Sequence, residues 1–507
     1  MNFQTAPPGQ PQTTESSLTL RALRYIGSRW LLAALISALI LVPCYWHRRI
    51  AAGDLPSHTY NAWLAHLIGL GQAPGLYIVP QLNNALLDLA LLHLGNAVGF
   101  VAGEKIVAAI CVLLFFWGAF AFIAAATARP PWFLVPAIAM IAYGYTFYMG
   151  FLNFYLSLGL GFFAAALFWR GKPFDWIVGA VLAVLTFLAH PMGLACLLGT
   201  VAYVLLAEKL QGIYRFLLFV SAFLAVYAAH LFITRHYRTY SWHHTNFYTM
   251  NGVDQLWLFS SRYNKLELAV FAAGWLLFLL GLLLERKTNT AWKTFRTPLE
   301  LWIALVFAAL MIPEIIWLPQ YGKGSVFGFV VSRLTSVTAI LGLCVLGSIR
   351  LRKWHLAALA ALAAVFFVFQ YQDTAALNRM ERQAEQLVAP LPYGHRVLQT
   401  MWPGNDSRIY FIGHMVDRAC IGRCFAYSNY EAATLQFRIR ARPGNPIVTD
   451  SSETSLQMEE GTYIVRPEDL PISQIYQCDE SDLTKLCIRD LAAGEKNGRL
   501  GHLPPEF

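Results

Sequence analysis

Residues 53–64 read Gly-Asp-Leu-Pro-Ser-His-Thr-Tyr-Asn-Ala-Trp-Leu and follow closely on an apolar run at positions 30–46. Asp54 and His58 therefore stand one helical turn apart just beyond a stretch suited to crossing a bilayer. A carboxylate at such a border is costly unless it is solvated, paired or used. Whether the flanking runs are membrane spans decides the fold, and composition answers that.

The chain has 507 residues, 57% hydrophobic and 13% charged, with a mean hydropathy of +0.48. Soluble domains carry roughly 25% charged residues. Half that content, with repeated long apolar runs, specifies an all-α polytopic membrane protein. The formal net charge of +9 does not indicate nucleic acid. Lys and Arg of the apolar part sit mainly in short loops, as they do when they fix topology.

Residues 1–29 are expected to be a cytoplasmic, disordered N-terminus, polar through position 20 and not a signal peptide. Arg21, Arg24 and Arg29 hold the start of the first span inside. A transmembrane domain is expected at 30–371, with an external loop at 48–103. Apolar residues 86–102 are read as lying on or partly in the membrane, because a crossing there would put the later basic loops outside. The spans are then 30–46, 105–126, 133–148, 152–169, 176–190, 192–207, 214–232, 266–284, 301–318, 326–347 and 356–369, eleven in all. Arg129, Arg170, Lys172, Lys209, Arg286 and Arg350 fall in cytoplasmic loops, while the external turns at 149–151, 190–191 and 319–323 carry almost no positive charge.

Residues 372–507 are polar and are expected to be a small α/β or mainly β external domain, periplasmic in a bacterial inner-membrane protein. Candidate strands lie at 396–401, 408–412, 435–439, 463–465, 475–478 and 486–488. Cys44, Cys111, Cys196 and Cys344 read as buried apolar residues. The four cysteines of the C-terminal part favour disulfides, Cys420 with Cys424 across a small loop and Cys478 with Cys487 across a hairpin. A zinc site is the rival, against which the missing C-x-x-C spacing counts.

Asp54 has two readings, a partly desolvated general base and a helix cap preceding Pro56. His58 either works beside Asp54 or is a plain polar residue. Arg333 lies inside an apolar span, expected about two turns from its external end, and is either an anion ligand or the partner of Glu314. Lys105 and Lys323 are further cations at the external surface. Asn153 and His190 border external turns and are substrate contacts or, for Asn153, a cap. The aromatic residues of 237–264 are an interfacial belt or sugar-stacking platforms. No cofactor is expected. A divalent ion on His58, His190, His243 and His244 lacks any close ligand spacing.

The arrangement resembles the GT-C superfamily of glycosyltransferases that use polyprenyl-phosphate sugars. The resemblance is carried by Asp54, then Pro80-Gln81-Leu82-Asn83-Asn84, the apolar stretch 86–99, and Glu104-Lys105 leading into the next span. It covers the whole chain in architecture but only the first external loop in motif. The acidic pair of some relatives is absent, since Leu55 follows Asp54.

The resemblance implies inverting transfer from a polyprenyl-phosphate-linked sugar donor to an envelope glycan, lipid or protein acceptor at the external membrane face. Asp54 would be the catalytic base, and His58, Lys105, Asn153, His190 and Arg333 would bind substrate. One carboxylate suffices, because phosphate is already a good leaving group, whereas hydrolases need two. Some members of the superfamily also need a divalent cation. Two rivals remain. A lipid-linked glycan transporter would want midplane charge pairs and repeated halves, which are not seen. A non-catalytic scaffold in polysaccharide assembly stays open.

Overall fold

Apolar runs of this length satisfy their own backbone only as helices, and the computed structural model of the chain is accordingly mostly helical. It describes residues 29–241, 250–284, 290–321, 325–402 and 407–498. His243, His244 and Lys323 lie outside the described residues.

The helices used below are α1 (Trp30–Tyr45), α2 (Leu55–Gly69), α3 (Leu86–Val98), α4 (Phe100–Thr127), α5 (Leu152–Arg170), α6 (Pro191–Lys209), α7 (Val330–Gly347), α8 (Lys353–Val388) and α9 (Met415–Cys420). Among the described residues seven helices are long and apolar enough to cross a membrane: α4, α5, α6, α7, α8, Gly212–His236 and most of Arg262–Leu284. The chain is a helical, multi-pass membrane protein. Helix α1, α3 and Pro173–Ala189 are apolar but shorter.

Helix α3 agrees with the reading that 86–102 does not cross, whereas several spans differ from their expected bounds, among them 301–318, where the helix ends at Met311 and a strand follows at Ile315–Trp317. Helix α3 has 13 residues, about 20 Å by the α-helical rise, too short to cross. It breaks at Gly99, and α4 begins at Phe100 rather than at 105. The stretch expected as a span at 133–148 is three short pieces, Trp132–Leu134, Val135–Ala142 and Tyr145–Tyr148, bent at Gly144. At that bend the Tyr143 carbonyl accepts from buried Gln370 Nε2 at 2.7 Å. Helix α8 does not stop near 369 but runs 36 residues to Val388, about 54 Å. The expected domain boundary at 372 thus falls inside one rigid rod.

Helices α4 and α5 pack backbone to backbone. A Cβ on Gly118 would sit 2.3 Å from the Gly159 carbonyl oxygen, so small residues set this approach. One end of the bundle gathers Arg129, which donates to the Gly347 and Ile349 carbonyls, and Arg170, which donates to Ala125. The turns at 149–151 and 190–191 lie at the other end, against which the C-terminal segment packs.

That segment is α/β. Strands Arg396–Thr400 (β1), Phe425–Ala426 (β2), Ile472–Gln477 (β3) and Leu486–Leu491 (β4) form one sheet in the order β2-β1-β3-β4. The β1 strand is parallel to both neighbours, and β3–β4 is an antiparallel hairpin. Disulfides join Cys420 to Cys424 and Cys478 to Cys487, as the sequence predicts.

Residues 408–412 are not a strand. Arg408 instead turns into the bundle, donating to the Asp254 backbone and pairing with its carboxylate at 3.2 Å. The expected strand at 435–439 starts at its last residue: Ile439–Ala441 pairs antiparallel with Leu76–Ile78 of the first loop. One apolar core is shared by Tyr60, Trp63 and Leu64 of α2, Met380 and Ala384 of α8, and Val397 and Val416 of the segment. Beneath it, buried Arg418 of α9 binds Glu104 of α4 at 2.7 Å and Glu381 of α8 at 2.6 Å.

Candidate functional site

Asp54 immediately precedes α2, and its backbone is fixed from outside that helix. Gly53 N donates to Tyr148 O at 2.8 Å, and Asp54 N donates to Met149 O at 2.9 Å. The clamp needs glycine at 150. Its φ is +81°, and a Cβ there would lie 2.3 Å from Asp54 N. The Asp54 side chain makes no capping hydrogen bond, so the cap reading does not hold. The carboxylate is half-buried and has no hydrogen-bond or ion-pair partner among the described residues. Its position is imposed by main chain, and its oxygens are left unused.

Three cationic side chains interact with its charge, His58, Arg333 and His414. His58, one turn into α2, is buried with Nδ1 3.6 Å from Asp88 Oδ1 of α3. Burial opposes its charge, but the carboxylates of Asp88, Glu431 and Asp54 prevail and raise its pKa to about 9. This pair also accounts for Asp88, the one acidic residue of a mainly apolar helix.

Arg333 lies in the first turn of α7, not two turns in, and its charge interacts with that of Asp54. Its guanidinium sits 4.1 Å above the Phe151 ring, and its Nε is buried without a hydrogen-bond partner. The alternative pair with Glu314 is not formed. Glu314 instead accepts from Val331 N at 2.9 Å and Ser332 Oγ at 2.7 Å, capping α7.

Asn153 is buried beside Phe151 with Oδ1 unpartnered, and it does not cap α5. His190 does cap: its Nδ1 accepts from Met192 N at 3.1 Å at the start of α6. Its ring packs on Phe154, and Arg333 is near enough to act on it electrostatically. Asp54, His58, His190 and Arg333 are thus linked in one electrostatic cluster. Lys105 lies apart. Its ammonium donates to the His47 carbonyl at 2.7 Å and sits near Tyr45.

The C-terminal segment completes the cluster with residues that sequence reasoning missed. His414 Nδ1 bonds Asp417 Oδ2 at 2.8 Å, and Asn429 Nδ2 donates to the same oxygen at 2.8 Å. Asn429 also reaches Ser57 Oγ, which donates to Glu431 Oε1 at 2.6 Å; Asn61 donates to Glu431 Oε2. Burial opposes a charge on His414, yet Asp417, Asp54 and Glu431 raise its pKa to about 10. Burial raises Glu431 above the ordinary carboxylate range, against His58 and His414. The one sequence signal for this lobe was the His414-x-x-Asp417 spacing, a single helical turn.

The cluster therefore offers one free carboxylate, two histidines held as cations and one half-buried arginine whose Nε is buried without a partner. That set can take a proton from a hydroxyl and stabilise an anion beside it. Among the described residues no group of three or more His, Cys, Asp and Glu side chains is placed to hold a metal ion. Comparisons with family models, with curated proteins and with solved structures find no match.

Proposed function

We propose that the chain is an inverting glycosyltransferase of the GT-C kind, taking a sugar from a polyprenyl phosphate and passing it to an envelope glycan, lipid or protein hydroxyl. The carrying observation is the Asp54 carboxylate, fixed through its backbone and unpartnered, with Arg333, whose Nε has no hydrogen-bond partner, in electrostatic reach. Asp54 accepts the hydroxyl proton. The acceptor oxygen then bonds to the anomeric carbon as its bond to the phosphate oxygen breaks, and the electron pair leaves on the polyprenyl phosphate. Arg333 stabilises that charge.

On this reading eleven spans cross the bacterial inner membrane, the N-terminus is cytoplasmic, and the C-terminal segment is periplasmic. The basic residues gathered at the far end of the bundle support that orientation. Mass-resolved extraction of the purified chain tests the reading. A co-purified polyprenyl phosphate or polyprenyl-phosphate sugar is expected. A chain that neither retains nor turns over such a lipid is not this enzyme.

A further inference from the structure

Resting on that reading, the C-terminal segment has a direct part to play at the reaction site. His414 opens α9 and is buried against Tyr430, ring centroids 5.9 Å apart. Asp417, one turn on, fixes Nδ1 as the protonated nitrogen, and Asn429 holds Asp417 in place. Nε2 has no hydrogen-bond partner among the described residues. The groups facing His414 are Asp417 on its own helix, Asp54 at the start of α2, and Tyr430 and Glu431 in the following turn. Nothing among them uses Nε2.

His414 Nε2 is not sealed from its surroundings and can reach a ligand. Here one nitrogen is fixed by a carboxylate and the other is left over, in a cluster that already holds the spare Nε of Arg333. His58 has a looser carboxylate neighbour, its Nδ1 lying 3.6 Å from Asp88 Oδ1. Asp88, Asp417 and Glu431 offset much of the positive charge, and the polar atoms left without a partner beside Asp54 are the donors His414 Nε2 and Arg333 Nε, which suit a phosphate oxygen.

We propose that His414 is a ligand for the donor's phosphate, acting with His58 and Arg333 beside Asp54, so that the site is incomplete without the C-terminal segment. The charge on His414 supports this, because an imidazolium donates from both nitrogens and cannot serve as the base.

The test is binding, not transfer, so its result does not depend on the glycosyl reading. Full-length chain in detergent is titrated with farnesyl phosphate, inorganic phosphate and farnesol, followed by tryptophan fluorescence. His414→Gln is expected to weaken farnesyl phosphate roughly ten- to a hundredfold, the worth of a hydrogen bond to a charged group, and to leave farnesol unchanged. A matching loss for inorganic phosphate identifies the phosphate alone as the ligand, and a loss confined to farnesyl phosphate identifies the lipid headgroup. Either pattern supports the proposal; unchanged phosphate binding in His414→Gln overturns it.

The unsubstituted chain gives an independent reading if that variant does not fold. Phosphate binding should persist to about pH 9 and decline above it, following His58 and His414. A decline centred near the ordinary imidazole value, about 6.5, overturns the proposal.

Discussion

Replacing Arg418 by Met tests how the C-terminal segment is joined to the bundle. The guanidinium makes five hydrogen bonds, two to Glu381, one to Glu104 and two to the Ile50 carbonyl, at 2.6–3.1 Å. Side-chain exposure is 2% for Arg418, 1% for Glu104 and 3% for Glu381, so water cannot take over its role. Arg49 lies 3.9 Å from Glu381 and is already engaged at 2.5 Å by Glu385. Methionine would fill the volume but leave two carboxylates buried and uncompensated. Removing one partner of a buried pair costs about 3–5 kcal/mol, a large part of a typical stability of roughly 5–15 kcal/mol. Denaturant unfolding in detergent, followed by fluorescence, measures the loss. Adding Glu104→Gln and Glu381→Gln should recover most of it, since the desolvated charges cause the penalty. A loss under about 1 kcal/mol, or a triple variant no better than the single one, refutes the reasoning.

Other outcomes follow from the same geometry. His58 and His414 have folded pKa values above the unfolded value, so their stabilisation is complete below about pH 6.5 and lost as pH rises through about 9 and about 10. Unfolding midpoints should therefore fall between pH 7 and pH 10, and His414→Gln should flatten that slope. Gly150→Ala should cost about 1–3 kcal/mol for its backbone conformation and displace Asp54, so transfer should fall far more than the unfolding midpoint. Cys478→Ser with Cys487→Ser opens a bridge between residues nine apart in sequence, and the loss should be about 2–3 kcal/mol by loop-closure entropy, read as a lower midpoint under oxidising conditions only.

The membrane class was legible because bilayer length and low charge leave few alternatives, and helices form where the apolar runs lie. Boundaries were less legible. Helix α8 passes through a composition change at 372 because its later half is buried by the C-terminal segment, a tertiary contact that hydropathy does not carry. The broken stretch at 133–148 looks continuous in sequence because the Gln370 side chain that satisfies Tyr143 is more than 200 residues away.

At the site, Asp54 and His58 were readable from position alone. Arg333 was readable as costly, but its separation from Glu314 depends on Glu314 turning to cap α7. Beyond the His414-x-x-Asp417 spacing, Asn429 and Glu431 gave no sign, because polar residues in a polar segment are unremarkable until folding buries them against α2.

Asp54→Asn addresses the central claim most directly. The carboxylate has no internal bond to lose, so folding and polyprenyl phosphate binding should remain intact. Transfer of sugar from the co-purified lipid, measured by mass-resolved product formation, should fall roughly a hundred- to ten-thousandfold, the usual worth of a general base. Transfer within tenfold of the unsubstituted chain would contradict the account.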